Sequence, residues 1–170
     1  MTGSVRSAVV ISVSNRAAAG IYEDTTGPRI VAALEAHGMS RVIGRVVPDG
    51  EDVYDALTAA VEDGADLVVT SGGTGLTPTD ETPEMTRRVI DKEVPGIAEA
   101  IRAYGVSNDI PTAVLSRGLA GLSGSTLVVN LPGSTGGVKD GLAVLLPILD
   151  HTLDQIRGGD HRRSDEAGAS

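Results

Sequence analysis

The segment Thr70-Ser71-Gly72-Gly73-Thr74-Gly75 has the residue types of an anion cradle. Glycines let backbone N–H groups approach a phosphate closely, and Ser or Thr adds hydroxyl donors. The segment lacks the Gly-Lys-Ser/Thr ending of a P-loop and the spacing of a dinucleotide fingerprint. Glycine-rich turns also serve simply to reverse a chain, so the chemistry of the neighbouring residues matters. A few positions on, Thr77-Pro78-Thr79-Asp80-Glu81-Thr82-Pro83-Glu84 supplies carboxylates that could hold a magnesium ion against a triphosphate, and Asp80 is the favoured ligand. Glu81 and Glu84 read instead as residues attracted to the positive end of the helix that follows, worth under about 1 kcal/mol each.

Asp49 has two readings. It caps the helix that begins at Gly50, which the sequence alone favours, or it projects from a strand's carboxyl end into a site. A third chemical segment, Asn130-Leu131-Pro132-Gly133-Ser134, is a strand end followed by a rigid turn, with Lys139, one of two lysines in the chain, shortly after it. Such a loop suits a second substrate. Ser116-Arg117, at the end of another strand-like run, offers a hydroxyl and a guanidinium suited to bidentate phosphate binding. An exposed surface charge is an equally good reading of Arg117.

These loops need elements to hold them. Val9 to Val13 is an apolar run without alternation save Ser12, the pattern of a strand covered on both faces, and Leu67 to Thr70 reads as another buried strand. Ile30, Val31 and Leu34 recur at helical spacing and stop near His37-Gly38. A strand is predicted at Val42 to Val47. After the Pro48-Asp49-Gly50 break, Val53, Leu57, Ala60 and Val61 predict a second helix closed by Gly64. A helix is predicted from Thr82, as N-cap, through about Glu93, with Pro83 at its first position. Another is predicted over about Gly96 to Tyr104. Thr112 to Leu115 and Thr126 to Val129 read as short strands, and a last helix runs through about Ile156. This alternation predicts a three-layer α/β/α sandwich with a mainly parallel sheet, whose ligands gather outside the carboxyl ends of the strands.

Composition narrows the function. The 170 residues have the length of one domain, and a domain over residues 1–157 with a flexible tail over 158–170 is expected, because the chain turns charged and small after Arg157. The absence of cysteine excludes disulfides, thiolate metal sites and a catalytic thiol. A formal net charge of −9 argues against nucleic-acid partners. The run Ala8 to Val13 is shorter than a signal segment and reads as a buried strand. No apolar stretch approaches the roughly 20 residues needed to span a bilayer. A cytoplasmic protein with neither nucleic-acid nor membrane partners is expected.

Taken in order, Ser12-Val13-Ser14, Tyr22-Glu23-Asp24-Thr25-Thr26-Gly27-Pro28, Val47-Pro48-Asp49, Thr70 to Asp80, Thr82-Pro83-Glu84, Leu115-Ser116-Arg117 and Asn130-Leu131-Pro132-Gly133 resemble the Mog/MoaB family of molybdenum cofactor biosynthesis, which includes the gephyrin G domain. The resemblance covers about Val5 to Gly158. It implies a molybdopterin-binding fold and a molybdopterin adenylyltransferase: molybdopterin and magnesium ATP give adenylyl-molybdopterin and pyrophosphate before molybdate insertion. It further implies Asp49 and Asp80 as the essential aspartates and metal ligands. Ser71, Gly72, Gly73, Thr74, Gly75, Pro132 and Gly133 are implied as nucleotide contacts, and Ser14, Ser116, Arg117 and Ser134 as substrate contacts. A homotrimer and a molybdenum-insertion partner are implied as well.

The sequence departs from the family at two places. Thr79 stands where many relatives carry Arg, which leaves Arg117 or Lys139 to compensate, and Asn15 stands where many carry Asp. The main alternative is a MoaB-like paralogue that binds molybdopterin without adenylyl transfer. A Rossmann-type dehydrogenase is disfavoured by the missing fingerprint after the first strand.

Overall fold

Ala8 and Val10 alternate along one strand with Val9, Ile11 and Val13, and both sets are buried. A strand buried on both sides needs helices over both faces of its sheet. The computed structural model, which describes residues 5–159, has that arrangement. In chain order the elements are β1 (Ser7–Val13), a single-turn α1 (Asn15–Ala18), α2 (Thr26–His37), β2 (Arg41–Val47), α3 (Glu51–Glu62), β3 (Leu67–Ser71) and α4 (Thr82–Val89). There follow β4 (Lys92–Glu93), α5 (Pro95–Ser107), a 3₁₀ turn (Pro111–Leu115), β5 (Ala120–Ser123), β6 (Thr126–Leu131) and α6 (Thr135–Ile156).

The sheet has the order β2-β1-β3-β6-β5-β4. Strands β2, β1, β3 and β6 are parallel, whereas β5 runs antiparallel to β6, and β4 antiparallel to β5. One face buries Ile30 and Leu34 of α2, Ile97 and Ile101 of α5 and the apolar stripe of α6. The other buries Val53, Leu57 and Ala60 of α3, with Met85 and Val89 of α4 packed beside them. The fold is therefore the α/β/α sandwich anticipated above. The chain leaves β1 toward β2 and returns past it to β3, so a crevice opens where the connections diverge. Ser12 pairs in register with Ser71, and Ser71 with Leu131, so the loops after β1, β3 and β6 emerge side by side.

Several expectations are corrected. The segment predicted as a strand at Thr112 to Leu115 is the 3₁₀ turn: Pro111 starts it, and the sheet position beside β6 belongs to β5. Ser116 and Arg117 thus precede a strand instead of ending one. The helix predicted from Thr82 to about Glu93 ends at Val89, where Ile90 turns extended and Lys92–Glu93 pairs with β5. Its cap position is Glu81, not Thr82. Helix α6 ends at Ile156, and the flexible tail predicted from 158 lies, beyond Gly159, outside the described residues. Among the described residues no helix is long and apolar enough to cross a membrane.

Beneath the loops lies a buried polar knot. Asn130 on β6 donates to Thr70 Oγ1 (2.9 Å) and Thr86 Oγ1 (3.0 Å), and its Oδ1 accepts from Leu119 N (3.2 Å). Thr70, Thr86 and Asn130 are all buried and satisfy one another's polar groups, with Thr86 Oγ1 also donating to Thr82 O (2.8 Å). Asn130→Ala is expected to lower the unfolding free energy by about 2–4 kcal/mol, because it strands several buried partners. Urea denaturation followed by circular dichroism measures this, and a loss under about 0.5 kcal/mol would show that the knot is dispensable.

Candidate active site

The loop after β3 turns on two left-handed residues, Gly72 (φ 100°) and Gly73 (φ 66°). A Cβ on Gly72 would fall 2.3 Å from Val13 O, and one on Gly133 would fall 3.1 Å from Gly72 Cα. Glycine at 72 and 133 is thus what lets three strand ends converge. Gly72 N donates to Leu131 O (3.1 Å), Ser71 Oγ donates toward Thr26 Oγ1 and Pro132 O (3.2 Å each), and Thr82 N donates to Gly73 O (3.1 Å).

Asp49 and Asp80 flank this loop. Asp49 Oδ1 accepts from Gly50 N (2.9 Å) and Glu81 N (3.0 Å), and Asp49 N donates to Asn15 Oδ1 (2.8 Å). The cap reading of Asp49 is corrected, since Gly50 holds the cap position of α3. Asp49 Oδ2 is turned toward Gly73: a Cβ there would fall 2.6 Å from it and 2.2 Å from Thr82 Oγ1. Thr82 Oγ1 is buried and has no hydrogen-bond partner among the described residues. Asp80 Oδ2 accepts from Thr77 N (3.1 Å) and faces Gly75. Burial pushes the Asp49 carboxyl above its ordinary range; the amides of Glu81 and Gly50 oppose this, and the charges of Asp80 and Glu81 add to it.

Arg117 ties the following segment down. Its Nε donates to Gly75 O (2.8 Å), one terminal nitrogen donates to Asp80 O (2.8 Å), and the other pairs with Glu84. Glu84 is therefore an ion-pair partner and more than a helix-end charge. Burial alone would raise its carboxyl, but the hydrogen bond and charge of Arg117 prevail and hold it below the usual range.

These loops wall a cavity of about 520 Å³, within the range of small-molecule sites. Gly72, Gly73, Thr74, Gly75 and Asp80 form one side, and Pro132, Gly133 and Ser134 another. Ser134 caps α6 by accepting from Gly137 N (3.0 Å), so the positive end of that 22-residue helix faces the cavity. Ile101, Ile110 and Leu115 add an apolar wall. Ser116 also lines it, with Ser116 Oγ 3.4 Å from Thr74 Oγ1.

The structure thus gathers Gly72 to Gly75, Asp80, Ser116, Pro132, Gly133 and Ser134 around one space, with Ser71 buried beneath them and Asp49 bordering the loop from behind Gly73. Ser14 and Arg117 are not among the cavity's lining residues. Ser14 caps α1, accepting from Ala17 N (3.2 Å), with Tyr22 OH 3.1 Å away. Lys139 is exposed and also lies outside the lining. Of the residues singled out earlier, neither candidate to compensate for Thr79 reaches the cavity. Sequence reasoning missed Arg102, the one basic side chain among the lining residues, which donates to Gly118 O (2.8 Å) and Ser116 O (3.3 Å). It lies half-buried on α5, and the residues beside it in the sequence carried no signal.

Residues 9–151 match the probable molybdopterin binding domain. The chain belongs to this family. The fold agrees with the solved structure of the molybdopterin biosynthesis Mog protein from Mycobacterium ulcerans at a TM-score of 0.86 and 54% identity, covering 89% of this chain and 99% of that one. The chain is 38% identical to the molybdopterin adenylyltransferase of Pyrococcus furiosus over 87% of its own length and 89% of that protein. It is 40% identical to the molybdenum cofactor biosynthesis bifunctional protein of Synechococcus elongatus over 91% of its own length, and spans about half (48%) of that longer relative. The Mog/MoaB resemblance and the place in molybdenum cofactor biosynthesis are therefore as expected.

The raised Asp49 carboxyl has a consequence for stability. Above the ordinary value of 3.8 the unfolded chain has released this proton while the folded chain still holds it, so folded protein binds more protons and loses stability as pH rises through that window. Asp49→Asn lacks this loss. Its thermal midpoint relative to the parent is expected to climb from below pH 3.8 to neutrality, and a difference that stays flat over that range would contradict the assignment.

Proposed function

We propose that this chain is a molybdopterin adenylyltransferase, which uses magnesium ATP to place AMP on the terminal phosphate of molybdopterin. The observation that carries this reading is the junction of a left-handed glycine loop, the Asp80 carboxylate and a helix amino end around one cavity, with the Asp49 carboxylate behind the loop at Gly73. Its match to a relative named molybdopterin adenylyltransferase over most of both chains supports it further.

In the reaction, an oxygen of the pterin phosphate attacks the α-phosphorus of ATP. An O–P bond forms, the bond from that phosphorus to the bridging oxygen breaks, and its electron pair leaves with pyrophosphate. The phosphate nucleophile is already ionised near neutral pH, so no strong general base is needed. Positioning and charge neutralisation supply most of the rate. The amides of Gly72 to Gly75 and the amino end of α6 attract the phosphates, Ser116 and Ser134 offer hydroxyls, and the wall of Ile101, Ile110 and Leu115 shields the nucleotide from water.

The residues fit a magnesium ion. The donors are two carboxylates, and magnesium is a hard cation that takes one or two of them and completes its shell with water and phosphate oxygens. Asp80 and Asp49 Oδ2 would hold it, and when bound it neutralises phosphate charge. A homotrimer, a molybdenum-insertion partner and a cytoplasmic setting belong to the same proposal.

Pyrophosphate release from magnesium ATP should require molybdopterin and fall by about 100-fold or more in Asp80→Ala. A folded parent that binds molybdopterin yet releases no pyrophosphate would make the chain a binding paralogue instead.

A further inference from the structure

Ser116-Arg117 offers in the sequence a guanidinium suited to phosphate binding, and the structure gives the nitrogens of Arg117 other work. Nε donates to Gly75 O and a terminal nitrogen to Asp80 O, each at 2.8 Å, so one planar group grips the first and last carbonyls of segment 75–80. The remaining arm pairs with Glu84, which cancels the guanidinium charge that an incoming phosphate would need. The backbone follows the same pattern, because Arg117 N donates to Thr74 O (2.8 Å). The residues on either side of Arg117 are held as well, through their carbonyls, by Arg102.

The gripped segment carries Asp80. Inside it, Asp80 N donates to Thr77 O (3.0 Å) and Thr77 N donates back to Asp80 Oδ2 (3.1 Å), so the carboxylate is oriented by the turn and the turn is closed by the guanidinium. Leu76, Thr77, Pro78 and Thr79 are exposed, and they lack the apolar packing that would otherwise hold such a turn. We propose that Arg117 is a positioning residue, which fixes the Asp80 carboxylate by clamping both ends of segment 75–80, and that it does not bind substrate phosphate.

The fork is what matters here. A guanidinium can reach two carbonyls and a carboxylate in one plane, whereas a lysine ammonium is a point charge on a flexible stem. Arg117→Lys therefore keeps the charge and loses the clamp, and Glu84→Gln keeps the clamp and frees a positive arm. The functional part of the proposal rests on the adenylyl-transfer reading; the structural part can be read without it.

In nucleotide-free protein, amide hydrogen exchange at Thr77 and Asp80 should quicken at least tenfold in Arg117→Lys, with Val68 and Val128 in the core unchanged, and should stay near the parent rate in Glu84→Gln. In the full reaction, Arg117→Lys should raise the magnesium concentration for half-maximal pyrophosphate release at least fivefold, with KM for molybdopterin within twofold of the parent. Unchanged exchange in Arg117→Lys would overturn the clamp. Parent-like magnesium dependence with a raised KM for molybdopterin would make Arg117 a substrate ligand. A parent that releases no pyrophosphate would sink the transferase reading alone, since the exchange rates still decide whether the clamp exists.

Discussion

The close approach of three strand ends is the constraint on which the site depends. Gly72 lies so near Val13 O that any side chain would collide with it, and Gly133 sits against Gly72 in turn. Backbone therefore packs on backbone where β1, β3 and β6 end, and the amides of the glycine loop are presented to the cavity without side chains in between. The buried knot of Thr70, Asn130 and Thr86 holds the floor under this junction by hydrogen bonds that have no substitute in an apolar core. The site is thus rooted in the sheet.

The two carboxylates reach that junction by different routes. Asp49 is set by the backbone amides of Gly50 and Glu81 and by Asn15, so its orientation is inherited from the β2–α3 turn, the start of α4 and the first helix. Asp80 rides on an exposed turn. The departure at Asn15 has a concrete meaning in this light: a neutral amide oxygen accepts from Asp49 N, and it does so without adding a further negative charge beside a carboxyl already raised by burial and by Asp80. Thr82, buried with its hydroxyl unpartnered among the described residues, borders the same space behind Gly73.

Much of this was legible because it is periodic or local. The doubly buried runs at Val9 to Val13 and Leu67 to Thr70, the stop at Gly38 and the glycine loop each follow from a few neighbouring residues. What escaped depends on partners far along the chain. Thr112 to Leu115 is as β-prone as Ala120 to Ser123, but Pro111 starts a 3₁₀ turn there and the second segment takes the place beside β6. The helix after Thr82 stops at Val89 because Lys92–Glu93 finds β5. Arg117 and Arg102 look alike in sequence; their difference lies in which carbonyls stand opposite them.

The reversal of β5 has one further effect. Because β5 runs against β6, its amino end lies beside the carboxyl ends of the parallel strands, and Ser116 reaches the cavity from the segment that enters a strand. The turn between β5 and β6, at Gly124, is correspondingly carried to the opposite end of the sheet. The two borders of this short strand are under opposite demands. One must keep its length to the residue, and the other is a place where the chain can accept inserted or attached sequence at a full strand's distance from the chemistry.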